Sequence, residues 1–263
     1  MTVRQPTFPR RLRNREPLVG CWMLVGHPVV GEFLAQQGFD FVVADGEHTE
    51  NDVETLASVV RAVDAAGTDT EVLVRSPSAD PADVKRLLDL GPRGVIVPQI
   101  EDVDAARCAV EAATYPPEGV RGVAGTRPSG YGTDLETAVE RASEDVVTIL
   151  QVETAGAVAD AAEIAALDGV DALLIGPADL SARLGVFGEY DHDRFRDAVA
   201  TVVEAADAAE TPVGTLATTR ENLETRHAWG MDYMVAGTDL GYLRDAGARY
   251  RETYAGLSTE ENT

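Results

Sequence analysis

Lysine is almost absent from this chain of 263 residues. Lys85 is the only lysine, and the other 21 of the 22 basic residues are arginine. Catalysis through a Schiff base needs a lysine on an inner element of the fold. Lys85 instead falls in "PADVKRLLDLG", whose spacing of apolar residues indicates an outer helix. The sequence therefore disfavours Schiff-base chemistry, and any carbon–carbon bond chemistry must be assisted by a metal.

Positive charge of any kind is also scarce. The 22 basic residues face 45 acidic ones, and the formal net charge is -23. Nucleic acid and anionic membranes are disfavoured as partners because their phosphates would be repelled. An acidic, lysine-poor surface is typical of a protein that stays hydrated in concentrated salt, so we predict a halophilic source. The alternative is an acidic cytosolic enzyme from a GC-rich genome.

Disulfides and membrane segments are not expected either. Cys21 and Cys108 lie in separate segments, which predicts a reduced, cytoplasmic protein. The apolar run "LVGCWMLVG" is too short and too interrupted by glycine to be a signal or a membrane span. We predict a mobile or partner-docking N-terminal arm over residues 1–16, one domain over 17–256, and a C-terminal tail over 257–263.

What the chain does contain is a regular alternation of apolar runs and amphipathic runs. Near-continuous apolar strands that alternate with helices predict a parallel sheet covered by helices. Eight such units in about 250 residues predict a closed (β/α)8 TIM barrel. An open doubly wound sheet is the alternative, although no G-x-G-x-x-G follows the first strand. The predicted strands are 18–25, 39–44, 70–75, 94–98, 146–152, 171–175, 212–216 and 232–236.

Polar and charged residues stand where these predicted strands end. In a barrel the ends of all strands meet at one mouth, where catalytic groups gather. Each residue alone would be explained as a helix cap or a turn residue, but their convergence favours a site. The residues are Asp45, Glu47 and His48 after strand 2, Arg75 after strand 3, Gln99 after strand 4, Gln151 and Glu153 after strand 5, and Gly176, Pro177 and Asp179 after strand 6.

The chemistry of these groups predicts a metal site with a base. Glu153 and Asp179 offer an all-oxygen, two-ligand site that suits Mg²⁺ or Mn²⁺, with Co²⁺ as a further candidate. Arg75 can stabilise an oxyanion, and His48, oriented by Asp45, can act as a base near neutral pH.

At these positions the sequence resembles the HpcH/HpaI aldolases, the metal-dependent (class II) pyruvate aldolases. The resemblance covers nearly the whole chain after residue 16, through the motifs "FDFVVADGEH", "VLVR", "KRLLDLG", "VPQI", "GVRG", "QVET" and "IGPADLSARLG". It implies a (β/α)8 barrel that cleaves a 4-hydroxy-2-oxo acid, such as 4-hydroxy-2-oxoheptanedioate or a 2-keto-3-deoxy sugar acid. The products are pyruvate and an aldehyde, formed through a metal-stabilised pyruvate enolate.

The resemblance also implies roles for individual residues. Glu153 and Asp179 would bind the metal, Arg75 would face the pyruvate oxyanion, and His48 with Asp45 would be the acid/base pair. It implies a homo-oligomer, a hexamer or a trimer of dimers, in which Asp89 reaches the site of a neighbouring subunit. The residues implied around the substrate are Gln151, the backbone at Gly176, Pro177 and Ala178, and Trp22 beside the aldehyde.

Two features differ from the family pattern where the aldehyde end is expected. One is His27, and the other is the stretch "GVAGTRPSGYG" within the loop over residues 115–133. Other reactions therefore stay open on the same type of barrel. One is a malyl- or citramalyl-CoA-type lyase, although no basic patch for CoA phosphates stands out in the sequence. Another is a different metal-enolate lyase or decarboxylase. A non-catalytic oligomeric barrel is disfavoured because every position of the site is filled.

Overall fold

A computed structural model describes residues 7–260, and in them eight parallel strands close into one barrel. Each strand pairs with the next one along the chain, and the last pairs with the first. This confirms the predicted (β/α)8 barrel and excludes the open sheet. The strands are β1 (Leu18–Met23), β2 (Phe41–Asp45), β3 (Glu71–Arg75), β4 (Gly94–Val97), β5 (Val147–Val152), β6 (Ala172–Ile175), β7 (Val213–Ala217) and β8 (Tyr233–Thr238).

Helices connect these strands around the outside of the barrel. The segment after β5 forms two short helices that meet at Asp160. The helices are α1 (Phe8–Arg13), α2 (Pro28–Ala35), α3 (Val53–Ala65), α4 (Pro81–Leu88), α5 (Val103–Ala113), α6 (Leu135–Glu140), α7 (Ala142–Asp145), α8 (Ala155–Ala159), α9 (Ala161–Ala165), α10 (Pro177–Arg183), α11 (Asp193–Ala208), α12 (Arg220–His227) and α13 (Asp239–Glu260).

Alternation along β2 explains why its last residue faces the barrel interior. Phe41 and Val43 pack in the cluster that fills the barrel. Val42 and Ala44 pack in the cluster between the strands and the surrounding helices. Side chains of a strand point to opposite faces in turn, so Asp45 points inward like Val43. Asp45 is also the register partner of Arg75 on β3, so the two side chains leave the sheet side by side.

The N-terminal segment differs from its prediction as a mobile or partner-docking arm. Residues 7–16 fold back on the barrel, while residues 1–6 lie outside the described part of the chain. Phe8 and Leu12 of α1 are 5% and 1% exposed and join the cluster that fills the barrel. The ring of Phe8 lies 5.6 Å from that of Phe41. The helix α1 therefore closes the end of the barrel where the strands begin.

Arginines in and after α1 fix this helix to the end of the barrel where the strands begin. Each pairs with an aspartate that stands immediately before a strand, and the other oxygen of that aspartate accepts an N–H from the adjacent strand. Partly exposed pairs each contribute little, but three on one short segment fix its orientation. The pairs are Arg11–Asp40 at 2.7 Å, Arg13–Asp171 at 2.7 Å and Arg15–Asp232 at 2.8 Å.

The last helix, α13, is longer than predicted. It spans 22 residues and includes residues 257–260 of the predicted tail, whereas residues 261–263 lie outside the described range. Leu243 and Leu257 on α13 are 67% and 60% exposed, so this helix presents apolar side chains to solvent in the single chain. From residue 7 to residue 260, no helix combines the length and the apolar character needed to cross a membrane.

Candidate active site

Arg75 and Asp45 form a buried ion pair at the mouth of the barrel. Arg75 donates from Nε to Asp45 Oδ1 at 2.9 Å and from Nη2 to Oδ2 at 2.7 Å. Asp45 is fully buried and Arg75 is 7% exposed. Burial alone would raise the pKa of Asp45, but Arg75 and the N–H of Glu47 hold that pKa below its ordinary value. Both groups are therefore charged at neutral pH, and the guanidinium is held in one orientation.

Glu47 holds the other side of the same guanidinium. Its Oε2 lies 2.8 Å from Arg75 Nη1, and its side chain is 9% exposed. Gln99 Nε2 donates to Glu47 Oε1 at 3.4 Å. No definite role for Glu47 follows from the sequence, but the structure makes it the second carboxylate that fixes Arg75.

Trp22 packs under this ion pair. The guanidinium carbon of Arg75 lies 4.7 Å from the centre of the Trp22 ring, a cation–π distance. A hydrogen bond from the Trp22 side chain also helps to lower the pKa of Asp45. Trp22 is 4% exposed and also packs in the apolar cluster that fills the barrel. Its predicted place beside an aldehyde stays a prediction.

His48 lies at the rim of the mouth and does not contact Asp45. Its side chain is 61% exposed, and its Nε2 is 3.9 Å from Glu47 Oε2. The prediction that Asp45 orients His48 is therefore wrong. The physical reason is the strand geometry: Asp45 is the last residue of β2 and turns inward to Arg75, whereas His48 stands in the loop beyond it.

A cavity of about 400 Å³ opens beside His48 at the ends of β1, β2 and β8. His27 lines it and also caps α2, because its Nδ1 accepts the N–H of Val29 at 3.2 Å. Asn51 fixes the floor of this cavity by donating to the carbonyls of Leu24 and Asp45. His27 therefore lies at the mouth, where the sequence placed the aldehyde end, and serves at least as a helix cap.

Glu153 is a buried carboxylate that is held through both of its oxygens. It is fully buried, its Oε1 accepts the backbone N–H of Gln99 at 2.8 Å, and its Oε2 accepts Gln151 Nε2. Burial raises the pKa of Glu153, and the charges of Asp179 and Glu47 raise it further, against the effect of its hydrogen bonds. The carboxylates of Glu153, Asp179 and Glu47 are therefore close enough to influence one another.

Gly176 allows α10 to begin directly against Glu153. A Cβ atom at Gly176 would lie 2.6 Å from Glu153 Oε2 and 2.9 Å from Gln151 Nε2, so no other residue fits without displacing them. Asp179 follows in the first turn of α10. Helix geometry leaves the N–H groups of Ala178 and Asp179 without partners inside the helix, since Pro177 is its first residue.

The donor set at this place fits a hard divalent cation. Glu153 and Asp179 supply carboxylate oxygens, and Gln151 Oε1 is a buried oxygen without a hydrogen-bond partner. Burial is the main cause of the raised pKa of Glu153, and the charges of Asp179 and Glu47 add to it, so a bound cation would favour the ionised carboxylate. Over residues 7–260 no group of three or more His, Cys, Asp or Glu side chains has metal-site geometry. A cation here would therefore complete its shell with water or substrate oxygens.

Asp89 and the loop over residues 115–133 lie at the opposite end of the barrel. Asp89 follows α4, and the loop connects α5 to β5, so both are on the face where strands begin. Asp89 Oδ1 accepts from Arg121 Nη2 at 3.5 Å and from Thr126 Oγ1 at 3.3 Å. The expectation that this loop borders the aldehyde end is thus wrong within one chain, because the loop is far from its own mouth.

Comparisons with known proteins match most of the chain to one family. Residues 18–246 match the sequence model of a family described as HpcH/HpaI aldolase/citrate lyase. A hydroxypyruvate/pyruvate aldolase from Delftia acidovorans is 39% identical over 94% of this chain and 93% of its own length. A 5-keto-4-deoxy-D-glucarate aldolase from Enterobacter sp. (strain 638) is 34% identical over 94% of this chain and 96% of its own length.

A solved structure has the same fold over its whole length. The crystal structure of an HpcH/HpaI aldolase/citrate lyase family protein from Burkholderia cenocepacia J2315 superposes with a TM-score of 0.90 at 36% identity. The superposition covers 94% of this chain and 98% of that one. The predictions of the barrel, of the family and of a carbon–carbon lyase of the aldolase type are confirmed. The chain belongs to the HpcH/HpaI aldolase/citrate lyase family.

Proposed function

We propose that this enzyme is a divalent-metal-dependent aldolase that cleaves a 4-hydroxy-2-oxo acid of the 2-keto-3-deoxy type to pyruvate and an aldehyde. The single observation that carries the proposal is the pairing of Glu153, a buried carboxylate in need of a cation, with the fixed guanidinium of Arg75 at one mouth. Relatives at 39% and 34% identity are named as a hydroxypyruvate/pyruvate aldolase and a 5-keto-4-deoxy-D-glucarate aldolase, which supports this substrate class.

Glu153 and Asp179 are the proposed metal ligands. Mg²⁺ and Mn²⁺ suit two carboxylates best, with Co²⁺ as a further candidate. Such a cation supplies Lewis-acid polarisation of the substrate's 2-oxo group. The fixed orientation of Glu153, held through both oxygens, prepares this side of the site before substrate enters.

Arg75 is proposed to stabilise the negative charge that develops on the substrate's C2 oxygen as the C3–C4 bond breaks. A guanidinium has five N–H donors, and Asp45 and Glu47 engage three of its nitrogens with one contact each. The remaining N–H groups are free to face the developing oxyanion. Loss of one such donor typically costs about 10²–10³ in kcat. Asp45 acts through Arg75 and is therefore a positioning residue.

His48 is proposed to remove the proton from the C4 hydroxyl, directly or through a water. Its exposure at the rim gives it access to solvent for proton exchange. The N–H groups of Ala178 and Asp179 at the start of α10 are proposed to bind the C1 carboxylate, with Gln151 beside it. These donors point out of a helix N-terminus, where a negative group is favoured.

Asp89 is proposed to act in a homo-oligomer, a hexamer or a trimer of dimers, by reaching the mouth of a neighbour. Its position on the face opposite to its own mouth, together with the exposed apolar side chains of Leu243 and Leu257, supports an assembly. The two free cysteines, Cys21 and Cys108, support a reducing, cytoplasmic setting.

Metal removal tests the proposal. Chelation should abolish pyruvate formation from a panel of 2-keto-3-deoxy acids, and added Mn²⁺ or Mg²⁺ should restore it. Glu153→Gln and Asp179→Asn should weaken metal binding, whereas Glu204→Gln on the exposed face of α11 should not. Full activity after demetallation would contradict the proposed metal dependence. A covalent pyruvate adduct on Lys85 after borohydride treatment would show a Schiff base and contradict the proposed mechanism. Cleavage of malyl- or citramalyl-CoA alone would overturn the substrate class.

A further inference from the structure

Gln99, the second residue after β4, has a backbone conformation that side chains rarely adopt. Its φ is +58°, in the left-handed region that non-glycine residues seldom occupy. This conformation aims its N–H at Glu153 Oε1, at 2.8 Å. Strain of this kind persists where surrounding contacts hold it, and it is concentrated at functional sites. Besides this backbone contact, the side chain of Gln99 makes two contacts that hold the residue in place.

The amide of Gln99 lies between two groups that dictate its orientation. Its Oε1 accepts from Arg183 Nη2, and its Nε2 donates to Glu47 Oε1 at 3.4 Å. An arginine has only donors and a carboxylate only acceptors, so the amide cannot be turned round without losing both contacts. Arg183 also lies 3.5 Å from Glu101, which holds its guanidinium over the loop after β4.

Arg183 is on the same helix as the second proposed metal ligand. It is the last residue of α10, four residues after Asp179. Gln99 therefore contacts Glu153 with its backbone and the helix of Asp179 with its side chain. The carboxylates of Glu153 and Asp179 repel each other when both are ionised, because they carry like charges at one mouth of the barrel. A bridge between Gln99 and α10 keeps this repulsion from moving the two carboxylates apart before any cation binds.

We propose that Gln99 and Arg183 form a positioning bridge that holds the carboxylates of Glu153 and Asp179 at the separation a divalent cation requires. The proposal rests on the metal function proposed above, since it explains how that site is prepared. Neither residue is a proposed ligand of the cation. They act on its affinity as outer partners of metal ligands do, where a substitution typically weakens binding about 10- to 100-fold.

Mn²⁺ binding to the full-length apo-protein tests the bridge without reference to turnover. We expect Gln99→Met and Arg183→Met each to raise the Mn²⁺ dissociation constant about 10- to 100-fold, measured by calorimetry and by the EPR signal of free Mn²⁺. Arg194→Met removes the same charge from an exposed position on α11 and should leave the constant unchanged. If Arg183 acted only through its charge, Arg183→Met would have the opposite effect, because loss of a nearby positive charge should tighten Mn²⁺ binding.

The double variant tests whether the two residues act through one contact. If they form one bridge, Gln99→Met combined with Arg183→Met should bind Mn²⁺ no more weakly than the weaker single variant. If the losses of Mn²⁺ affinity in the two single variants multiply in the double variant, the proposed bridge is wrong. It is also wrong if Gln99→Met leaves the Mn²⁺ dissociation constant unchanged. Neither result would contradict the metal site itself. Failure of the unaltered protein to bind Mn²⁺ would overturn the metal function itself and the bridge with it. Melting temperatures of the apo-proteins should agree within a few degrees.

Discussion

Replacement of Asp45 by asparagine separates two accounts of this residue. The sequence suggested that Asp45 orients His48, whereas the structure shows it bound to Arg75 through both oxygens. Asp45→Asn keeps the size of the side chain and removes its charge. One amide oxygen can still accept from Arg75 Nε, but the amide NH₂ would then face the donor Nη2.

The structure gives the expected loss of stability. Removal of one partner from a buried ion pair costs about 3–5 kcal/mol. Because Glu47 still faces Arg75 Nη1 at 2.8 Å, we expect the low end, about 3 kcal/mol, in urea unfolding at pH 7. The pKa of Asp45 is lower in the folded state than in the unfolded chain. Its contribution is therefore present above about pH 4 and is lost as the pH falls through the folded pKa.

Activity gives the sharper comparison. If Asp45 acts only through Arg75, the losses in kcat/KM from Asp45→Asn and His48→Ala should multiply in the double variant. The losses from Asp45→Asn and Arg75→Met should not, because both remove the same oriented guanidinium. Pyruvate release coupled to a dehydrogenase measures all of these variants on one substrate.

Two outcomes would refute this reasoning. One is a double variant of Asp45→Asn and His48→Ala that is no slower than His48→Ala alone, which would restore the predicted Asp45–His48 pair. The other is a stability difference between Asp45→Asn and the unaltered protein that stays constant from pH 7 into the acid range while both remain folded. The buried ion pair of Asp45 with Arg75 would then make no specific contribution to the free energy of unfolding.

Three further predictions follow from the site, the closed end of the barrel and the charge. His48→Ala should lower aldol cleavage by about 10²–10⁴ but affect oxaloacetate decarboxylation much less, since that reaction has no hydroxyl proton to remove; equal losses would contradict the role of His48. Leu12→Ala should lower the unfolding free energy by about 2–5 kcal/mol, because Leu12 is 1% exposed, while Val120→Ala at a 65% exposed position should change it by under about 0.5 kcal/mol. The melting temperature should rise from dilute buffer to 1 M KCl, where the Debye length is about 3 Å; a flat response would argue against salt adaptation.

The fold could be predicted because the barrel strands are apolar on both faces. A parallel strand covered by helices shows a continuous apolar run, and all eight runs became strands within about two residues of their predicted limits. The ends of those strands then located Arg75, Gln151 and Glu153 together. Strand position along the chain is enough to bring such residues to one mouth, whatever their side-chain contacts.

The side-chain contacts within the site could not be predicted from the positions of the strands. Asp45 and His48 are three residues apart in sequence, but the barrel register pairs Asp45 with Arg75, which stands 30 residues away. Gln99 was noted only as a strand-end residue, because its left-handed backbone leaves no sequence signal when glycine is absent. The helix α1 was missed because four arginines in residues 7–16 hide the two apolar residues, Phe8 and Leu12, that it buries.

The closure of the barrel by α1 has a consequence for the order in which contacts form during synthesis. Arg15 binds Asp232, which lies 217 residues further along the chain. The helix α1 therefore cannot complete its contacts until β8 has been made. Until then Phe8 and Leu12 have no closed barrel to fill, and a chain that stalls before β8 exposes both. Docking of α1 thus marks completion of the barrel, and protection of residues 7–16 from proteolysis reports on full-length, closed molecules.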